Sequence, residues 1–224
     1  MRTVVVYVHG LWLNGWESLL LRQRLSRELD CNALSFRYSS MGAGLRANAL
    51  SLAAFLTRLH ADTLHLVGHS MGGAVILELF EGALDGGDAA ARSAMLPPGR
   101  IVLLGSPLRG SRAARNLSRW PLGRRLLGPT AHEVLLPELS RRWVAPRELG
   151  VIAGDVPLGL GRVMGRFGSP SDGTVLVEET YLDGATEHLI LHTTHSGMMC
   201  SAIVARQAAW FLRHGRFATK AGQT

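Results

Sequence analysis

Lysine is almost missing from this 224-residue chain: Lys220 is the only one, so the net charge of +7 rests on arginine. No acidic residue lies between Asp88 and Glu133, yet that stretch holds Arg92, Arg100, Arg109, Arg112, Arg115, Arg119, Arg124 and Arg125. Cysteine is equally scarce. Cys31 and Cys200 stand alone, without framework or zinc spacing, which argues against a disulfide scaffold and a Cys/His metal site; both are expected reduced. No apolar run approaches the ~18 residues a membrane-crossing helix needs. With 47% apolar and only 18% charged residues, disorder is also excluded. The chain enters Val4–Val8 almost at once, so no leader is read there. The expectation is one metal-free, cytoplasmic domain over residues 1–224.

Apolar runs of strand length alternate with longer helical patterns, which predicts an α/β fold with a parallel sheet of about six strands covered by helices. Strands are expected at Thr3–Val8, Ala33–Arg37, Leu64–Val67, Ile101–Leu104, Gly150–Ala153 and His188–Leu191, all apolar enough to be covered on both faces. Helices are expected at Trp16–Glu28, Arg46–Leu59, Met71–Leu84 and Gly197–Arg213, from apolar spacings of three and four. Two stretches break the rhythm. Arg109–Arg147 is an Arg-, Gly- and Pro-rich excursion with short helix-capable pieces such as Thr130–Leu136, and Val156–Ser171 reads as a long glycine-rich loop. A polar tail is expected from Gly215 to Thr224.

Between one strand and one helix stands Gly68-His69-Ser70-Met71-Gly72, followed by Gly73. A serine at the apex of so tight a turn is lifted clear of the backbone, and glycine two residues away on either side lets the turn close. This is the nucleophile elbow, and it makes Ser70 the candidate nucleophile. A serine hydroxyl needs a base, and the base needs a group that fixes its tautomer. His195, in a loop after the last strand, is the candidate base, with His192 the runner-up. Asp172, in Ser171-Asp172-Gly173-Thr174, is the favoured acid; Asp155 is the runner-up, and Asp183 is more distant. Backbone N–H groups of Met71, at a helix start, and of Leu11, after His9-Gly10, are expected to receive an oxyanion.

These motifs, with Leu104-Gly105-Ser106-Pro107, make the chain resemble the small, cap-poor α/β-hydrolase lipases and esterases. The resemblance spans nearly the whole chain. It implies an α/β-hydrolase fold with little or no cap domain, and cofactor-free cleavage of carboxylic esters by Ser70, His195 and Asp172. Arg109–Arg147 departs from it, being longer and more basic than the corresponding segment of the small members. Trp12, Leu13, Leu108 and Met198 are candidate acyl-pocket residues, with Met71, Trp120 and Met199 behind them.

A thioesterase or acyltransferase would use the same residues. A different class of reading is a non-catalytic scaffold that holds an anionic membrane or partner through the Arg109–Arg125 region. The bland alternative for that region is a solvated basic surface. No nucleic-acid motif accompanies it, so no nucleic-acid partner is expected.

Overall fold

The computed structural model describes residues 1–82, 91, 94–159 and 169–219. Six strands form one parallel sheet in the order β2-β1-β3-β4-β5-β6. They are β1 (Thr3–Val8), β2 (Asn32–Phe36), β3 (Thr63–His69), β4 (Ile101–Leu104), β5 (Leu149–Gly154) and β6 (Glu187–Leu191). The helices are α1 (Leu19–Leu29), α2 (Leu45–Leu56), α3 (Met71–Glu81), α4 (Arg112–Ser118), α5 (Pro121–Val134) and α6 (Ala202–His214). Helices α1 and α6 pack together on one face, and α2 and α3 on the other. Strand bounds fall within one or two residues of the expected ones, because an unbroken apolar run leaves little choice of where a buried strand can lie. The last part of the helix expected to reach Leu84, Arg92, and most of the Val156–Ser171 loop lie outside the described residues.

The two faces of each central strand feed different cores. Along β1, Val4, Val6 and Val8 pack with α2 and α3, while Val5 and Tyr7 pack with α1 and α6. Each such side chain, fully buried, contributes about 1.5–3 kcal/mol. β2 and β6 are edge strands and only partly covered; Ile190 in β6 is exposed, contrary to the expectation that every strand is covered on both faces.

Three further differences have simple causes. Trp16–Ser18 and Gly197–Met199 are short 3-10 turns that precede α1 and α6, not first turns of those helices. The supposed tail is part of the core as far as Ala218. Phe217 is buried against Phe211, its N–H donates to Glu187, and Ala218 pairs with the Gln207 amide. The excursion after β4 contains two helices, where short helix-capable pieces such as Thr130–Leu136 are expected. Ser111 caps α4 and Pro121 opens α5, which kinks at Gly128 (φ 72°, ψ 171°) just before Pro129.

The excursion is stapled at its base. Arg109 reaches Asp183 Oδ1 at 3.0 Å, and the Trp143 N–H donates to the Asp183 carbonyl at 2.7 Å. Both ends of the segment therefore meet one residue of the loop before β6.

Candidate active site

The carboxyl ends of β1 and β3 lie side by side at the point where the chain reverses its direction across the sheet, the usual position for a binding crevice in such folds. Ser70 follows β3 directly and has φ 54°, ψ −126°, a conformation that a residue with a Cβ rarely adopts. Its N–H donates to the Leu104 carbonyl (2.9 Å), and its own carbonyl accepts the Gly73 N–H (3.1 Å), so both sides of the strained residue are fastened. The turn closes because α3 runs almost against β1. A Cβ on Gly72 would lie 2.2 Å from the Val8 carbonyl oxygen.

Asp172 is buried, with 1% of its surface exposed, and its carboxylate is fully engaged. Oδ1 accepts the N–H groups of Thr174 (2.9 Å) and Val175 (2.7 Å), an arrangement that follows from the Asp-Gly-Thr turn. Oδ2 faces His195 Nδ1 at 2.7 Å, and the His195 N–H donates to the Asp172 carbonyl at 2.8 Å. A carboxylate can only accept, so Nδ1 carries the imidazole proton and Nε2 is left as a base. The runners-up pair with each other: His192 Nδ1 sits 2.9 Å from Asp155 Oδ1 on the exposed edge. Asp183 is committed to Arg109.

Two residues beside these groups stand inside motifs already quoted, but those motifs give no sign of the contacts they make. Gly105, with φ +53°, sits against the Asp172–His195 pair, where a Cβ would come within 2.9 Å of Asp172 Oδ2 and 3.1 Å of His195 Nδ1. His69 is completely buried, its Nε2 lies 3.2 Å from the His195 carbonyl, and its ring packs on the His195 ring at 4.6 Å. Burial lowers its pKa well below the usual value, so the ring is neutral and donates through Nε2 to the loop that carries His195.

His9 plays a matching part under β1. It is buried and neutral, its pKa lowered by desolvation, and it stacks on Tyr38. Its Nε2 accepts the Tyr38 N–H (3.3 Å), so Nδ1 is the donor to the Gly10 carbonyl (2.8 Å). The Gly10–Leu11 peptide is trans, which turns the Leu11 N–H away from that carbonyl. Among the described residues neither the Leu11 nor the Met71 N–H donates to a protein acceptor.

Ser70 and His195 line one cavity of about 210 Å3. Leu11, Trp12 and Leu13 line it together with Ala114, Leu117, Leu127 and Leu135 of the excursion. Leu108 and Met198 do not reach it. Leu108 lies in the core beside α3, its N–H tied to the Glu179 carbonyl, and Met198 is in the α1/α6 core on the opposite face of the sheet. Met199 is buried there too, with its sulfur 3.1 Å from the Tyr7 hydroxyl; Met71 is in the α3 core, and Trp120 is on the surface. The carboxylate of buried Glu179 accepts the N–H groups of Arg112 and Leu176, and so ties the start of α4 to the turn after Asp172.

The fold has close counterparts among solved structures. A lipase of Bacillus licheniformis, BlEst2 in its mature form, superposes with a TM-score of 0.70 at 17% identity over 96% of this chain and 93% of that one. Phospholipase PlaB of Legionella pneumophila matches at 0.69 and 18%, over 99% of this chain and 60% of its own length. The type II thioesterase BorB from the borrelidin biosynthetic cluster matches at 0.60 and 14%, over 95% and 92%. No curated protein matches in sequence. At such identities the structures establish the architecture alone. The model of the alpha/beta hydrolase family, however, matches residues 5–216, and over that span the chain belongs to the alpha/beta hydrolase family.

Proposed function

We propose that the protein is a serine esterase that cleaves carboxylic esters with an apolar acyl group. One observation carries the reading: Ser70, strained at the sheet edge, and His195, held by buried Asp172, line the same largely aliphatic cavity. Ser70 Oγ attacks the acyl carbon while its proton passes to His195 Nε2. The carbon–alkoxy bond then breaks, and the alcohol leaves with that proton. Water, deprotonated by the same imidazole, attacks the acyl-enzyme; the serine is restored and the carboxylic acid is released. The negative oxygen formed at each addition is received by the N–H groups of Leu11 and Met71, at the start of α3, where the helix dipole adds to the attraction.

A fluorophosphonate tests this directly. It should add once per chain, at Ser70, as read by peptide mass spectrometry, and ester hydrolysis should disappear in step with labelling. Labelling of another serine with Ser70 unmodified removes the assignment.

Gly105 supplies a second test. Gly105→Ala adds a Cβ at a left-handed backbone position, against Asp172 Oδ2 and His195 Nδ1. Hydrolysis should fall roughly 10- to 100-fold through displacement of the pair, with labelling slowed and not abolished. A fully active Gly105→Ala protein would mean that the Asp172–His195 contact does not set the rate.

A further inference from the structure

The arginines that look like one block in sequence divide in space. Arg100 pairs with Glu148, Arg109 with Asp183, Arg112 with Glu178, and Arg115 approaches Glu138. Arg119, Arg124 and Arg125 have no acidic partner among the described residues, and all three are exposed. They cluster at one place, the short turn between α4 and α5 and the first half of α5.

Large apolar side chains share that place. Trp120 and Leu122 are each 71% exposed and Leu126 is 42% exposed. Leu122 and Leu126, four residues apart, form one ridge along the helix. The ridge runs on to the cavity, because the Trp12 indole N–H donates to the Leu126 carbonyl at 2.8 Å while Trp12, 45% exposed, lines the cavity wall. A solvated basic surface has no use for such neighbours, since exposed leucine and tryptophan beside water carry a cost that arginine does not remove.

Tryptophan and leucine that insert among acyl chains, with unpaired arginines at headgroup level, are what an interfacial helix presents to an anionic bilayer. We infer that residues 119–126 form a docking surface for an anionic lipid bilayer, placing the mouth of the cavity against the membrane. The inference does not depend on Ser70 being the nucleophile, because adsorption needs no turnover.

Binding is therefore measured on the Ser70→Ala protein, by flotation with vesicles of phosphatidylcholine containing phosphatidylglycerol and with phosphatidylcholine alone. The protein should float with the anionic vesicles only, and added salt should release it. Arg124→Gln/Arg125→Gln should weaken binding roughly thirtyfold, at about fivefold per arginine near the surface. Arg109→Gln/Arg112→Gln removes the same charge from paired positions and should change binding by no more than about twofold. Trp120→Ser/Leu122→Ser should weaken it at least about tenfold. Thermal midpoints within a few degrees of the parent verify that each variant is folded. The inference falls if the parent does not float, if both arginine pairs matter equally, or if Trp120→Ser/Leu122→Ser binds as the parent does.

Discussion

Ser70→Gly should abolish ester hydrolysis and yet give a more stable protein than Ser70→Ala. Elsewhere the order is the reverse, since glycine loses more chain entropy on folding and is the weaker residue by about 0.5–1 kcal/mol. Here the backbone at φ 54°, ψ −126° carries about 1–3 kcal/mol of strain as long as a Cβ is present, and alanine keeps that Cβ. Glycine removes it. The two terms oppose each other, and relief should prevail by about 1 kcal/mol, read as a higher urea midpoint for Ser70→Gly than for Ser70→Ala. Turnover should fall by about 10^4-fold or more in both, to the residue of activity that binding and oxyanion stabilisation alone provide. A urea midpoint lower for Ser70→Gly than for Ser70→Ala, by the usual glycine cost of about 0.5–1 kcal/mol, would mean that the elbow stores no strain. Retained turnover would place the nucleophile elsewhere.

Asp172→Asn should cost about 10^4-fold in kcat while leaving the fold intact. Asparagine can still accept the Thr174 and Val175 N–H groups through Oδ1, so the turn survives. Its amide then faces His195 Nδ1 as a donor. The imidazole must answer with a lone pair on Nδ1 and place its proton on Nε2, where it can no longer take one from Ser70. Asp155→Asn should leave kcat within about twofold, because it removes only an exposed contact with His192, of the kind that contributes little. Steady-state kinetics on a soluble ester, beside thermal unfolding of both variants, decides the matter. If Asp155→Asn is the crippled one, the two acids exchange roles.

What the sequence makes legible is what is decided locally. The elbow is five consecutive residues, and the Asp172 turn is shaped by its own glycine, so strand, turn and candidate residue can be read together. That Asp172 and His195 meet, 23 residues apart, follows from chain order in the fold. The cavity wall is not legible in this way. Leu108 and Met198 look as apolar as Leu117 or Leu127, and only the packing of the sheet determines which pair reaches the cavity. Helix α5 is legible only in its second half, around Thr130–Leu136, because Gly128–Pro129 interrupts its periodicity, and α4, at seven residues, is too short to show one. The arginine block misleads for a related reason. Its partners Glu138, Glu148, Glu178 and Asp183 all come later in the chain, so a window with no acidic residue reads as unpaired throughout.

Because Arg109 and Trp143 are both held by Asp183, the stretch between them leaves and rejoins the body at a single gate. The sheet does not register how much chain passes through it. Doubling the length of a loop closed at fixed ends costs only about 0.6 kcal/mol, far less than the burial of one core leucine. Chain length between the two sides of the gate is thus a cheap variable, whereas the buried side chains that α4 and α5 lend to the core of α2 and α3 (Ala114, Leu127, Ala131 and Val134) are not: a longer or shorter counterpart that keeps them would reshape the cavity roof and its outer surface and leave the turn that presents Ser70 as it is.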